Sequence, residues 1–195
     1  AMTITLAIGV SRMARRHAIV RKLPAVETLG STTVICSDKT GTLTQNQMTV
    51  QVVIAGHEFF SFSGLGYSPV GEVQCHGTSV DPPSYPTLLE CTKAGLLCND
   101  SHLVPTNGGW GVDGDPTAGA LLPVAEKVGL SFSLWTQKFP RLDTIPFESQ
   151  DQFMATLHGQ PDEAAKVMYV KGAVERIILR CDRALDPTGL MVDLD

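Results

Sequence analysis

Apolar residues fall along this chain in short runs, and their spacing predicts most of its elements. "MTITLAIGV" leads into a basic cluster, so residues 4 to about 22 read as one helix that Pro24 ends or bends. "TTVICS", residues 32–37, is a β-branched run bounded by polar residues and predicts a buried strand. "MTVQVVIAG" predicts a second strand, stopped by Gly56. Residues 61–86 are rich in Gly, Ser and Pro and read as loop with short strands. "PTLLECTKAGLLCN" predicts a helix with Leu88, Leu89, Cys91, Leu96 and Leu97 on its apolar face. "GGWGVDGDP" reads as glycine-rich turn. Pro116 opens a helix over residues 117–129, where its missing N–H costs nothing, and Pro123 is placed to kink that helix. "QFMATLH" and "KVMYVK" predict strands joined by a polar turn at "GQPDE", and "AVERIILRCD" predicts a closing helix. A boundary falls near residue 48, with an α/β insertion after it.

Hydrophobic residues make up 43% of the 195 and charged residues 18%, which excludes a disordered chain and allows one or two packed domains. A net charge of -5 gives no general nucleic-acid footprint. That sum hides an asymmetry. No acidic residue precedes Glu27, whereas Arg12, Arg15, Arg16, Arg21 and Lys22 all do. Three readings fit the start of the chain: a buried helix with a solvated basic end, a transit peptide, or the cytoplasmic stub of a membrane helix. Cys36, Cys75, Cys91, Cys98 and Cys181 form no CxxC pair and have no histidine at metal-finger spacing. Reduced thiols are expected, and no zinc site.

"ICSDKTGTLT", residues 35–44, carries the clearest chemistry. Asp38 follows directly on the predicted strand, at the kind of carboxyl end where α/β sheets hold ligands. A carboxylate there can attack a phosphoryl group and form an aspartyl-phosphate. Lys39 offsets phosphate charge, the Thr40 and Thr42 hydroxyls can donate to phosphate oxygens, and Gly41 lets the backbone approach closely. Two anions meet in such a step, so Mg²⁺ on oxygen ligands is expected.

"DKTGTLT" resembles the phosphorylation signature of P-type ATPases, ion pumps of the haloacid-dehalogenase superfamily. The longer run "RKLPAVETLGSTTVICSDKTGTLTQNQMTV" resembles their calcium-pump-like branch. "LLCNDS", "GDPTAGALL", "IPFESQDQFMATLH" and "YVKGAVERI" resemble four segments of the nucleotide-binding domain, in the family's order. The resemblance implies an α/β fold: an α+β nucleotide-binding domain, with an antiparallel sheet flanked by helices. That domain is inserted into a haloacid-dehalogenase-like Rossmann phosphorylation domain, of which the first strand is present. It assigns residues 1–30 to the end of the fourth membrane helix and its stalk. Residues 31–47 become the start of the phosphorylation domain, and residues 48–195 the nucleotide-binding domain.

The resemblance also implies roles. Asp38 is the phosphorylated nucleophile and, with the Thr40 carbonyl, a partial Mg²⁺ site. Lys39, Thr40 and Thr42 contact phosphate. Phe147 stacks on adenine, Lys171 and Gly172 line the ATP site, Asp115 and Thr117 shape its rim, and Met154 packs beneath. ATP and Mg²⁺ are the expected cofactors. The partners are ATP and a cation held by membrane helices outside this chain, with no nucleic acid. Calcium is the first expectation for that cation; sodium, potassium and manganese stay open. The segment is expected on the cytoplasmic side of a multi-pass membrane protein.

Two departures stand out. Ala118 replaces a glutamate that the family places near adenine, and "ESQDQ" puts Ser149 and Gln152 where animal calcium pumps have an arginine and a lysine. The family's "TGD" and "GDGxND" segments are not in the chain, so it is expected to be a piece of a larger pump, not competent for turnover alone. Two alternatives are a phosphatase of the same superfamily and a nucleotide-binding module without catalysis. Against the phosphatase, Thr40 stands where those enzymes place a second aspartate for proton transfer.

Overall fold

The computed structural model describes residues 2–22, 24–160 and 165–194, which divide after Gln45 into two compact units. In the first, α1 (Met2–Ala14) is followed by α2 (Pro24–Gly30). The single helix expected to residue 22 therefore stops eight residues early, in a turn where His17 adopts a φ of 61°. Pro24 opens the next helix, because its fixed φ suits a first turn. Among the described residues no helix is long and apolar enough to cross a membrane.

Residues 32–37 form no strand, contrary to the sequence expectation. Val34 and Ile35 are 75% and 81% exposed. A β-branched run becomes a strand only when a ladder partner takes up its N–H and C=O groups. Among the described residues none pairs with it. The turn after it is present: the Leu43 and Thr44 amides both donate to the Lys39 carbonyl, at 3.0 and 3.1 Å.

The second unit is mixed α/β with antiparallel sheets flanked by helices, as expected. β1 (Val52–Ala55), β2 (Glu58–Phe62), β3 (Val73–Cys75) and β4 (Thr78–Ser79) form a meander in that order. α3 (Pro86–Leu97) follows, then a hairpin of β5 (His102–Thr106) and β6 (Gly109–Asp113). The glycine-rich stretch read as turn thus supplies a strand. α4 (Pro116–Gly119) and α5 (Leu121–Lys127) share the one helix expected there. The break falls at Ala120, and Pro123 sits in the first turn of α5, where its missing N–H is harmless.

α6 (Phe132–Lys138) leads into β7 (Arg141–Glu148), β8 (Phe153–Gly159) and β9 (Lys166–Gly172), a three-stranded sheet in chain order. The turn expected over "GQPDE" falls largely outside the described residues. α7 (Val174–Ile178) and a hairpin of β10 (Arg183–Leu185) and β11 (Met191–Asp193) complete the unit.

Packing centres on α3. Leu88, Thr92 and Leu96 recur every fourth residue and are buried with Thr87 and Leu97, so one helical face meets the core. The Thr92 hydroxyl is satisfied there by donating to the Leu88 carbonyl at 2.8 Å. Cys91, expected on this face, is exposed instead. Around α3 lie Phe60, Phe62 and Val73 of the meander and Val124, Ala125 and Val128 of the α5 region.

His158 is buried at 2% exposure and closes the other side. Its Nδ1 lies 2.9 Å from the Phe139 carbonyl, which can only accept, so Nδ1 carries the proton. The Thr156 hydroxyl then donates to Nε2 at 2.9 Å, and the ring is neutral. Burial pushes the His158 pKa below its ordinary 6.5. The unfolded chain therefore takes up this proton first, and stability falls as pH drops below about 6.5. Urea midpoints measured between pH 7 and pH 5 should decline, and His158→Gln should flatten that slope. An unchanged slope would locate the acid sensitivity elsewhere.

Candidate functional site

The sequence-predicted residues lie in two places. Asp38, Lys39, Thr40 and Thr42 are in the first unit, all exposed. Asp38 Oδ1 accepts from the Lys39 amide at 2.7 Å, which pins the carboxylate against the turn. The Ser37 hydroxyl donates to the Asp38 carbonyl at 3.1 Å. The Thr44 hydroxyl closes the turn by donating to the Lys39 carbonyl at 3.3 Å, and the Gly41 amide reaches Thr44 Oγ1 at 3.4 Å. The result is a solvent-facing carboxylate held by the backbone amide of the next residue in the turn.

Phe147, Met154, Lys171, Gly172, Asp115 and Thr117 belong to the second unit. Met154 on β8 and Lys171 on β9 are direct cross-strand partners, so their side chains share a face. Register pairs Ile145 with Ala155 and Glu148 with Phe153. Pro146 and Phe147 together therefore oppose Met154 alone. This bulge re-aims the β7 side chains and leaves Phe147 57% exposed at the rim. Met154 beside it is 5% exposed. Phe147 thus presents an exposed aromatic face beside a buried core methionine.

Lys171 carries the sharpest electrostatic feature. Its Nζ is buried and has no hydrogen-bond partner among the described residues. Burial is the chief cause that lowers its pKa from 10.5, and Arg141 adds to the effect. Cys98, Asp100 and Asp115 pull the other way. A desolvated ammonium without a partner is costly, and an anion brought to it relieves that cost. Gly172 follows at once. A Cβ there would stand 2.3 Å from the Gln152 carbonyl oxygen and 2.7 Å from Phe153 Cα, so only glycine lets β9 lie this close.

Asp115 caps α4, its Oδ1 accepting from the Ala118 amide at 2.7 Å. Thr117 is exposed on α4. The clefts of about 390 and 340 Å³ in this unit are lined by neither Phe147 nor Lys171. The candidate site is an open edge.

Two positioning residues lie outside the sequence-predicted site set. Asn99, 4% exposed, donates through Nδ2 to the Gly95 carbonyl at 3.0 Å and to the Ala118 carbonyl at 2.7 Å. Its Oδ1 accepts from the Ser101 amide at 3.0 Å, so one side chain ties the end of α3 to α4. Arg141 pairs with the Asp100 carboxylate at 2.5 Å and donates to the Leu97 and Asn99 carbonyls at 3.0 and 2.5 Å. The "CND" string marked Asn99. For Arg141 the sequence held no signal, because two of its three partners are backbone carbonyls.

The family model of the P-type ATPase cytoplasmic domain N matches residues 87–195. A cation-transporting ATPase, pma1, from Synechocystis sp. is 55% identical over the whole of this chain, which covers 22% of that protein. A probable cation-transporting ATPase F from Mycobacterium tuberculosis is 46% identical, again over the whole chain and 21% of its own length. A calcium-transporting ATPase from Bacillus subtilis is 38% identical over 93% of this chain and 20% of its own length. The chain spans about a fifth of the length of these curated relatives. With more than half of its residues matched by that family model, the chain belongs to the P-type ATPases and carries their cytoplasmic domain N.

Proposed function

We propose that this chain is the ATP-binding and phosphorylation-motif portion of an ATP-driven cation pump that forms an aspartyl-phosphate at Asp38. One observation carries the ATP reading: the buried Lys171 ammonium has no hydrogen-bond partner among the described residues, and its cross-strand partner Met154 lies on β8, which faces the Phe147 bulge of β7 on its other edge. Adenine stacks on Phe147 above Met154, and the phosphates draw on Lys171. Gly172 keeps this edge open, and Asp115 and Thr117 form the rim.

Residues 1–30 are proposed as the end of the fourth membrane helix and its stalk, residues 31–47 as the start of the phosphorylation domain and residues 48–195 as the nucleotide-binding domain. In the transfer step an Asp38 carboxylate oxygen attacks the γ-phosphorus in line. The new O–P bond forms as the bond to ADP breaks, and ADP leaves with the electron pair. Lys39, Thr40 and Thr42 hold the phosphoryl oxygens. The exposed oxygens of Asp38 and the Thr40 carbonyl suit a hard cation, and Mg²⁺ held there supplies charge neutralisation. Thr40 offers no carboxylate for proton transfer to water, which keeps the acyl-phosphate from early hydrolysis. Calcium is the proposed cargo, because a calcium-transporting ATPase is among the relatives.

Titration of the chain with ATP, with and without Mg²⁺, tests this reading. Phe147→Ala should weaken binding by about 1–2 kcal/mol, roughly 5- to 30-fold, through lost stacking. The fold should stay intact, since Phe147 is 57% exposed. Equal affinity in both forms would remove the adenine platform. In the full-length protein Asp38→Asn should spare ATP binding and abolish the phosphoenzyme.

A further inference from the structure

Glu58, Cys75 and His76 meet at one corner of the four-stranded meander. Glu58 opens β2 and Cys75 ends β3. His76 and Gly77 make the two-residue turn into β4, with φ of 51° and 77°. The register that pairs Phe60 with Cys75 carries Glu58, two residues before Phe60, to the same face and the same end. A single carboxylate oxygen, Glu58 Oε2, faces His76 Nε2 at 2.6 Å and the Cys75 thiol at 3.6 Å. The three potential ligand atoms all lie within 4.8 Å of one another. None of these residues belongs to the proposed ATP site.

We propose that this corner is a zinc site, with Cys75 Sγ, His76 Nε2 and Glu58 Oε2 as three ligands and water as the fourth. One thiolate, one imidazole and one carboxylate form a set suited to Zn²⁺ and unsuited to Mg²⁺ or Ca²⁺, which take oxygen throughout. A tetrahedral zinc ion with bonds of about 2.0–2.3 Å separates its ligands by roughly 3.3–3.6 Å. The Glu58–Cys75 separation of 3.6 Å already fits. The His76–Glu58 pair must open from 2.6 Å, and the His76 side chain, 74% exposed, is free to swing. Cys75 anchors the site from below, at 6% exposure within the core cluster. Binding releases the Cys75 thiol proton to solvent, and His76 binds as the neutral ring with its proton on Nδ1. The ion then replaces the hydrogen bonds that converge on Glu58 Oε2 and clips β2 to the β3–β4 hairpin. The sequence alone argued against zinc, because Cys75 and His76 are adjacent and Glu58 lies 17 positions before the cysteine.

Cobalt(II) is the probe, titrated into the chain with the exposed Cys36, Cys91 and Cys181 changed to serine. Stoichiometric thiolate-to-cobalt charge-transfer absorption, with tetrahedral d–d bands displaced by Zn²⁺, is the expected result. His76→Ala and Glu58→Gln, at the exposed side of the corner, should each weaken binding at least roughly tenfold. Cys75→Ser should abolish the charge-transfer band; if that variant fails to fold, the other two carry the test. Octahedral bands only, or a thiolate band that His76→Ala leaves unchanged, overturns the proposal.

Discussion

Lys171→Met is expected to weaken ATP binding by about 2–4 kcal/mol, roughly 30- to 1000-fold, while raising the melting temperature of the ligand-free chain. Both effects come from the same atom. Without ligand, Lys171 Nζ is buried and unbonded among the described residues, so folding removes its water and returns no hydrogen bond, and the pull of Cys98, Asp100 and Asp115 offsets only part of that loss. Methionine fills similar volume without a charge and sits beside Met154, its cross-strand partner. If ATP phosphate reaches this ammonium, as proposed, the ligand supplies the partner it lacked, and its removal is felt in full. The pH dependence follows with a definite sign. Burial lowers the Lys171 pKa below 10.5, so the unfolded chain holds that proton more firmly than the folded one. Wild-type stability therefore rises as pH climbs toward 10.5, and the methionine variant loses this component. Calorimetric titration and thermal melts on the same two proteins read both. Unchanged ATP affinity would dismiss Lys171 as a phosphate contact, and a lower melting temperature would dismiss the desolvation argument.

Phe60→Ala should be the most damaging single change to the fold, at about 3–5 kcal/mol. Phe60 is 0% exposed and meets Tyr85 edge to face, with ring centroids 5.0 Å apart. It joins the meander to α3 through the core that also holds Leu88 and Leu96. Domains of this size are stable by about 5–15 kcal/mol, so the variant should be marginal at 37 °C. Urea unfolding measures the loss, and a change under about 1 kcal/mol would contradict the packing. Phe147→Ala is the natural control. It removes the same ring from an exposed bulge, where the cost should appear in ATP binding and not in the unfolding curve.

What the sequence made legible was local. α3, β8 and β9 are marked by apolar spacing that matches their own period, and each forms within a few residues of expectation. β7 was missed because "RLDTIPFE" has no clean alternation and carries Pro146 beside the bulge. β5 was missed for a related reason, since Pro105 breaks its run. The run at residues 32–37 shows the opposite error. Its composition favours a strand, yet among the described residues nothing pairs with it. The site divides the same way. Strings such as "YVKGA" pointed to Lys171, but its lowered pKa depends on burial within the fold, with Cys98, Asp100, Asp115 and Arg141 acting on the same charge. Only the fold brings those residues together.

Ala118 lies on α4. Its amide donates to Asp115, and its carbonyl accepts from Asn99. Every hydrogen bond found there uses main chain, and the methyl takes no part. Exchanging the side chain, for glutamate among others, leaves those bonds between α3 and α4 untouched. Such a position uncouples inheritance of the side chain from inheritance of the fold. Descent can rewrite residue 118 without renegotiating how the domain assembles.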